Sequence, residues 1–397
     1  MTGKQVHLLW EGTQLAHHSF ALTNRSHCSN ILDWDAAELT IIPYERDQFS
    51  ATGDPILERL MAQDVRNKGL NLRERSKRPH VWVRHLWPPK PKPPGKDKWV
   101  VMQPWEYSLF PTKYIELLRG ADEIWTPSRF SRSAFVSSGL DPDAVHVVPC
   151  GIDAQRFAPQ GDALPLQTSK RFKFLFVGGT IYRKGIDILL ETYTGSFSIE
   201  DDVCLVIKDT GVETLYRGQT AQKLISDYQA REDAPEIVYL NADLPHAKLA
   251  GLYRACDVFV SPYRGEGFSL PTLEAMACGI PVIVTRGGST DDFVDAEVGW
   301  LIPSGKQSIG SSVYGDELPG EGFLLEPDAR RLAELMQRAY TTPAEVARKG
   351  EQAAHRAHGY WTWQHATLEV LQRIDTMCGT AIAAQIGQQL TASGNRQ

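Results

Sequence analysis

The sequence lacks the features that mark several large classes of protein. Its 397 residues contain six cysteines, which are scattered and form no Cys-x-x-Cys pair. This pattern favours reduced thiols over a disulfide framework or a zinc site. No apolar run approaches the ~20 residues that a membrane-spanning helix needs, and the N-terminus lacks the apolar segment of a signal peptide. We therefore expect a cytoplasmic protein.

Three further absences argue against particular kinds of ligand. The formal net charge is −6, which argues against a general nucleic-acid binder. The turn Phe176-Val-Gly-Gly-Thr-Ile-Tyr182 has two adjacent glycines instead of the Gly-x-Gly-x-x-Gly of nicotinamide dehydrogenases. Asp141-Pro-Asp143 has the composition of a turn, and Asp33-Trp-Asp35 looks like a cap before a helical stretch. Neither pair follows a strand, so we expect no metal site.

The remaining pattern is that of an α/β protein. In the second half, apolar strand segments alternate with helical segments, which predicts βαβ units and a doubly wound parallel sheet. The predicted domains are residues 1–160, residues 161–358, a helix at 359–378 that packs back on the first domain, and a tail at 379–397 that frays. The glycine-rich segment 303–323 is expected to be an irregular surface loop.

The most informative stretch runs from Arg264 to Thr285 and holds two carboxylates, Glu266 and Glu274, with seven residues between them. Glu266 follows an apolar strand, and Glu274 lies in the next helix. The carboxyl end of a parallel strand is where open α/β sheets bind ligands. A helix N-terminus there attracts phosphate. Carboxylates that can accept hydrogen bonds from sugar hydroxyls, beside a site for phosphate, indicate a nucleotide sugar as the ligand.

These residues carry a resemblance to a known family. The segments 176–185, 252–260 and 266–282 resemble the retaining glycosyltransferases of family four, and 121–128 and 147–153 are similar to the same family. The resemblance implies the GT-B fold, with two Rossmann-like domains facing a central cleft. It also implies transfer of a sugar from a nucleoside-diphosphate sugar, UDP or GDP, with retention of configuration. No metal and no further cofactor are implied.

On the donor side, the resemblance assigns four kinds of role. Lys184 and Arg183 lie against the diphosphate, Glu274 accepts from the ribose hydroxyls, and Glu266 lies near the transferred sugar. Similar enzymes carry an arginine where this chain has Gly179, so either Arg183 supplies that charge or the diphosphate is held less tightly. The residues expected to approach the donor through backbone are Gly178, Gly179, Gly267, Phe268, Ser269 and Leu270.

On the acceptor side, the chain departs from the family. Many similar enzymes carry a histidine near Gln103, and this chain has none there. His85 and Glu106 are the candidates to reach the cleft, in a catalytic, acceptor-positioning or structural role. Gly12 either lets its loop approach the diphosphate or forms an ordinary turn. The acceptor is a glycan, a lipid-linked molecule or a protein. The alternative function is an inactive nucleotide-sugar-binding or scaffold subunit.

The N-terminal half is locally basic. Such a face either is simply solvated or docks on the anionic inner face of a membrane. The basic residues are Arg66, Lys68, Arg73, Arg75, Lys77, Arg78, Lys90, Lys92, Lys96 and Lys98.

Overall fold

A computed structural model describes most of the chain. The described residues are 4–16, 18–44, 54–66, 79–93, 95, 97–210, 219–242, 244 and 246–394.

The first sheet is built from the N-terminal residues. Its strands are all parallel and lie in the order β2-β1-β3-β4-β5-β6. The strands are β1 (His7–Gly12), β2 (Glu38–Pro43), β3 (His80–His85), β4 (Lys98–Met102), β5 (Glu123–Thr126) and β6 (Val145–Val147). The helices are α1 (Ser19–Asp33), α2 (Pro55–Met61), α3 (Thr112–Leu118) and α4 (Arg129–Ser137).

The second sheet is also parallel, in the order β12-β11-β10-β7-β8-β9. Its strands are β7 (Phe172–Gly178), β8 (Val203–Asp209), β9 (Glu236–Leu240), β10 (Val258–Ser261), β11 (Val282–Thr285) and β12 (Gly299–Ile302). The helices of this part are α5 (Ile186–Ser196), α6 (Gln222–Gln229), α7 (His246–Arg254) and α8 (Leu270–Ala277). The predicted pair of doubly wound α/β sheets is confirmed.

The segment 303–323 is not the irregular loop that its glycines suggested. It belongs to an antiparallel hairpin of β13 (Ser304–Val313) and β14 (Asp316–Pro327). The turn residues Tyr314 and Gly315 have φ of 54° and 81°, as a tight hairpin turn requires. The prediction failed because the hairpin's apolar residues find their partners in the other domain, which local sequence does not reveal.

This hairpin joins the two domains. Phe323 N donates to Ser108 Oγ at 2.6 Å, and Ser108 N donates to Phe323 O at 3.3 Å. Leu318 and Leu324 are buried in the same apolar cluster as Phe110 of the N-terminal domain. An element inserted in the second domain therefore completes the core of the first.

The C-terminal helices are α9 (Ala329–Thr341), α10 (Pro343–Tyr360), α11 (Trp363–Cys378) and α12 (Ile382–Gly394). Val370, Leu371 and Ile374 of α11 are buried among residues of the first sheet. The division of the chain at residues 160 and 358 stays a prediction.

The tail does not fray as expected, because α12 occupies most of it. Gly379 reverses the chain at φ 68°, and Asp375 accepts from Ile382 N and Ala383 N, both at 2.8 Å. Ile382, Ala383 and Ile386 are buried against the first domain. A composition rich in Gln, Ala and Ser hid this short apolar stripe.

The structure also shows where the two aspartate pairs lie. Asp143 N donates to Asp141 Oδ1 at 2.9 Å, which confirms a turn. The other pair does not precede a helix: Asp33 is the last residue of α1, and Asp35 follows it at φ 50°. Helix α1 escaped prediction because its buried face carries polar side chains such as Thr23, Asn24 and His27.

A buried arginine, Arg264, ties three segments together. Its guanidinium donates to both carboxylate oxygens of Asp187 at 2.8 Å, and its Nε donates to Glu326 Oε2 at 2.8 Å. It also donates to the carbonyl oxygen of Tyr182 at 2.8 Å, and its side chain is 4% exposed. The start of α5, the loop after β10 and the end of β14 therefore share one anchor.

We predict that Arg264→Met lowers the free energy of unfolding by about 2–3 kcal/mol, because two carboxylates lose their buried partner. The matched control is Arg338→Met. Arg338 also bonds both oxygens of a glutamate, Glu345, in the same domain, but its side chain is 57% exposed. We expect the control to change stability by less than about 1 kcal/mol. Denaturant unfolding measures both variants, and equal losses would contradict the anchoring role.

Candidate active site

A cavity of about 180 Å³ lies between the two domains, at the carboxyl ends of their strands. The second domain contributes Arg183, Lys184, Glu266 and the segment 267–271 to its lining. The first domain contributes His85, Gln103, Pro104 and Glu106, with Phe20 and Thr23 of α1. The structure thus brings together the predicted residues His85, Glu106, Arg183, Lys184, Glu266, Gly267, Phe268, Ser269 and Leu270.

Four charged side chains meet in this cavity. Lys184 Nζ forms an ion pair with Glu266 Oε1. Arg183 lies between two carboxylates, with Nη1 3.8 Å from Glu266 Oε2 and Nη2 3.6 Å from Glu106 Oε1. The two cations and two carboxylates cancel in formal charge. An anionic ligand would therefore compete with the carboxylates for Lys184 and Arg183.

The two cations are held by a turn at the end of β7. Tyr182–Lys184 forms one turn of 3₁₀-helix, followed by Gly185 at φ 72°. A Cβ on Gly185 would lie 1.9 Å from Pro262 O, so only glycine fits there. Arg183 O accepts from Arg264 N at 2.8 Å, and Arg183 Nη1 donates to Gly265 O at 2.5 Å. The cationic turn and the Glu266 loop are therefore built as one unit.

The segment 267–270 leads into helix α8 along the cavity wall. Ser269 precedes the helix at φ 76° and ψ 66°, a left-handed conformation that is uncommon for serine and typical of strained functional sites. Its hydroxyl is 2.8 Å from Thr272 Oγ1. Gly267 O accepts from Ser128 Oγ of the other domain at 2.7 Å. The start of α8 thus faces the cavity and contacts the first domain.

Glu274 lies apart from the cavity lining. It is on the second turn of α8, is 8% exposed, and accepts a hydrogen bond from Tyr253 OH at 2.8 Å. Burial raises the pKa of Glu274 to about 7. The hydrogen bond from Tyr253 acts in the opposite direction but offsets only part of this rise. The carboxyl group is therefore more protonated at neutral pH than an ordinary glutamate.

His85 ends β3 on the opposite wall. Its Nδ1 is 2.9 Å from Asn24 Oδ1, and its ring stacks on Phe20 with centroids 4.3 Å apart. Burial lowers the pKa of His85 to about 3, so the ring is neutral at physiological pH. Asn24 and Phe20 were missed from the sequence, because nothing in α1 singles them out from its other buried residues.

Gly12, Gly178 and Gly179 are not among the residues that line the cavity, whereas the predicted Gly267 is. Gly178 ends β7 below the cationic turn, followed by Gly179. A Cβ on Gly12 would lie 2.6 Å from Asn24 Nδ2 and 2.7 Å from His85 O. Gly12 therefore gives Asn24 and His85 the space to meet. A contact of these glycines with a diphosphate stays a prediction.

Part of the predicted basic face can be described. Arg66 pairs with Asp64 at 2.6 Å, and Lys98 pairs with Asp122 at 2.9 Å. Lys90 and Lys92 are also among the described residues. The other basic residues of this face lie outside them: Lys68, Arg73, Arg75, Lys77, Arg78 and Lys96. None of the described helices has the length and apolarity to cross a bilayer. Contact with a membrane surface stays a prediction.

Comparison with known proteins identifies related sequences. The family described as Glycosyl transferases group 1 matches residues 165–312, and the one described as Glycosyltransferase Family 4 matches residues 66–156. An MMP α-(1→4)-mannosyltransferase of Mycolicibacterium hassiacum is 26% identical over 64% of this chain and 54% of its own length. A GDP-mannose-dependent α-(1-6)-phosphatidylinositol monomannoside mannosyltransferase of Mycolicibacterium smegmatis is 28% identical over 53% of this chain and 58% of its own. The chain thus spans little more than half the length of these relatives.

Solved structures share the fold over nearly the whole chain. Sucrose-phosphate synthase from Thermosynechococcus elongatus superposes with a TM-score of 0.64 at 18% identity, covering 98% of this chain and 100% of its own. Anabaena HepE in complex with UDP-glucose superposes with a TM-score of 0.64 at 12% identity, covering 93% and 99%. These similarities confirm the GT-B fold class.

The raised pKa of Glu274 predicts a pH-dependent contribution to stability. Its folded-state pKa of about 7 lies above its ordinary value of 4.5. The protonated carboxyl therefore stabilises the fold fully below pH 4.5, and this stabilisation is lost as the pH rises through 7. Glu274→Gln stays neutral and loses nothing. We expect the stability of Glu274→Gln relative to wild type to rise by on the order of 3 kcal/mol between pH 4.5 and 8.

The measurement is denaturant unfolding of both proteins at a series of pH values. Tyr253→Phe is the companion variant, because it removes the hydrogen bond that lowers the pKa of Glu274. It should raise the folded-state pKa further and extend the pH-dependent loss of stability to higher pH. A difference between Glu274→Gln and wild type that stays constant with pH would contradict the buried, raised carboxyl.

Proposed function

Since the chain belongs to glycosyltransferase family four and has the GT-B fold, we propose that it is a retaining, metal-independent sugar transferase. The observation that carries this proposal is a charged cluster in the cavity. Arg183 and Lys184 of the turn after β7 meet Glu266 of the loop before α8, and Glu106 and His85 lie on the opposite wall. The donor is a nucleoside-diphosphate sugar, and the acceptor presents a hydroxyl group.

The proposed donor site uses the exchange of ionic partners. When a diphosphate enters, Lys184 and Arg183 turn from Glu266 and Glu106 to its oxygens. Glu266 is then released to accept hydrogen bonds from hydroxyls of the transferred sugar. In this proposal Glu274 accepts hydrogen bonds from the ribose hydroxyls after Tyr253 gives way. The backbone N–H groups at the start of α8 face the distal phosphate.

The proposed reaction breaks the bond between the anomeric carbon and the phosphate oxygen, and the electron pair leaves with the diphosphate. The acceptor oxygen forms its bond to the same carbon from the same face. The departing phosphate oxygen takes the acceptor's proton. Lys184, Arg183 and the amides of 267–270 stabilise the charge that grows on the diphosphate, which is usually a dominant catalytic contribution. In this scheme the protein provides no nucleophile.

We propose UDP or GDP as the nucleotide of the donor. The M. smegmatis relative is named as GDP-mannose-dependent, and the Anabaena neighbour holds UDP-glucose. The acceptor is a glycan or a lipid-linked or protein-borne hydroxyl. Among the described residues, no group of three His, Cys, Asp or Glu side chains is arranged to bind a metal ion. Retained activity in EDTA is the direct test of metal independence.

Donor entry requires the two domains to separate. The cavity of about 180 Å³ is smaller than the ~300 Å³ at which ligand pockets begin. The contacts beside α8 include a hydrogen bond from Ser128 Oγ to Gly267 O at 2.7 Å and an ion pair of Arg129 Nε with Asp292 Oδ1 at 2.9 Å. Closure over the bound donor would exclude water and suppress hydrolysis.

We predict that Lys184→Ala lowers kcat by about 10²–10³-fold, because one charge that stabilises the leaving diphosphate is lost. Lys223→Ala, on the exposed face of α6 in the same domain, should match wild type. Thermal shift against UDP-, GDP- and ADP-sugars first identifies the donor, since a ligand that binds the folded state raises Tm. Release of the free nucleoside diphosphate then measures turnover.

Equal turnover of Lys184→Ala and wild type would refute the assignment of the diphosphate site. A nucleotide that raises Tm without any transfer or hydrolysis would favour the alternative of a binding or scaffold subunit.

A further inference from the structure

A buried amide next to His85 has only one chemically consistent orientation. Asn24 is fully buried, and its Oδ1 lies 2.9 Å from Trp10 Nε1. Because an indole N–H can only donate, the side-chain atom of Asn24 that faces Trp10 must be the oxygen. The other end agrees with this assignment, since Asn24 Nδ2 donates to Thr13 O at 2.8 Å.

This orientation determines which nitrogen of His85 carries the proton. His85 Nδ1 lies 2.9 Å from the same oxygen of Asn24. An amide oxygen can only accept, so Nδ1 must be the protonated nitrogen. Nε2 is then unprotonated and is a hydrogen-bond acceptor. Within the described part of the chain, Nε2 has no hydrogen-bond partner of its own, although His85 lines the cavity.

The described residues of the wall around His85 carry no positive charge. Its other residues from the first domain are polar, apolar or, in Glu106, anionic, and both cations of the cavity come from the opposite domain. A phosphate or carboxylate group would find no cationic side chain among these first-domain residues. A neutral hydroxyl would find an acceptor nitrogen that is already oriented, held by Asn24 on one side and stacked on Phe20 on the other.

We propose that Asn24 is a positioning residue that holds His85 in the Nδ1-protonated tautomer, so that His85 Nε2 accepts a hydrogen bond from a neutral substrate hydroxyl in the cavity. The hydroxyl belongs to the transferred sugar or to the acceptor. The role of the hydroxyl rests on the proposed function, whereas the tautomer does not. Burial that keeps the pKa of His85 near 3 preserves the acceptor nitrogen at physiological pH.

The tautomer is measured first, by two-bond ¹H–¹⁵N correlation spectra of the full-length protein labelled at histidine nitrogens. His85→Gln identifies the His85 signals by their loss. We expect the Nδ1-protonated pattern, which is the minor tautomer of a free neutral histidine side chain in water. In Asn24→Leu the constraint is gone, and the ring should shift toward the Nε2-protonated form.

Asn30→Leu is the matched control for this spectrum. Asn30 is a buried asparagine on the same helix, but its side chain donates to Thr367 Oγ1 at 3.0 Å instead of accepting from His85. It should leave the His85 tautomer unchanged. Trp10→Phe is a second variant, which removes the donor that orients Asn24 and should allow both tautomers. Nε2-protonated His85 in the wild type would overturn the proposal, whether or not the protein is an enzyme.

Turnover then tests the hydroxyl contact. The side-chain oxygen of glutamine can take the place of Nε2, whereas asparagine is too short and mimics only Nδ1. We expect His85→Gln to keep kcat/KM within about tenfold of wild type, and His85→Asn to lose about 10–100-fold more. Equal values for the two variants would refute the contact at Nε2.

Donor hydrolysis without acceptor separates the two sources of the hydroxyl. If His85→Asn slows both hydrolysis and transfer, the hydroxyl belongs to the transferred sugar. If only transfer slows, with a raised KM for the acceptor, the hydroxyl belongs to the acceptor. A wild type that shows the expected tautomer but no turnover would refute the proposed function and the hydroxyl contact, while leaving the tautomer established.

Discussion

The buried guanidinium of Arg264 is the interaction on which the candidate site depends. The guanidinium donates to Asp187 at the start of α5 and to Glu326 at the end of β14. The backbone N–H of Arg264 donates to Arg183 O. The loop that carries Glu266 is therefore held to the cationic turn on one side and to the hairpin on the other. A charge at this depth is tolerated because each face of the guanidinium fork has a carboxylate or carbonyl partner. The geometry of the site follows from satisfying that one group.

The two domains meet in chemically different ways on the two sides of the cavity. On the hairpin side, Leu318 and Leu324 join the apolar core around Phe110, and such burial is not easily reversed. On the α8 side, the contacts include hydrogen bonds, such as the one between Ser128 and Gly267, and an exposed ion pair. Water can replace both kinds of contact. We infer that the hairpin keeps the domains joined while the α8 side opens. The hairpin is thus both a core element and a tether.

Much of the fold could be predicted because it follows from local patterns of apolar and polar residues along the sequence. The strands of the second domain are continuous apolar runs, and the block from Glu266 to Glu274 lies where a strand ends and a helix begins. The hairpin, the tail helix α12 and helix α1 were missed for a common reason. Their apolar residues are few and separated by glycine or polar residues, and they are stabilised by partners far away in the chain. Local periodicity carries no information about such partners.

For the site, the sequence alone identified the residue types and their order along the chain: a carboxylate before a helix, a cation after a strand, and a histidine at the end of another strand. These assignments follow from the order of strands and helices along the chain. The folded structure was needed to show that Lys184 neutralises Glu266, that Arg183 also faces Glu106, and that Asn24 determines the proton position on His85. Charge cancellation and tautomer depend on distances between side chains up to 82 positions apart, and only packing sets those distances.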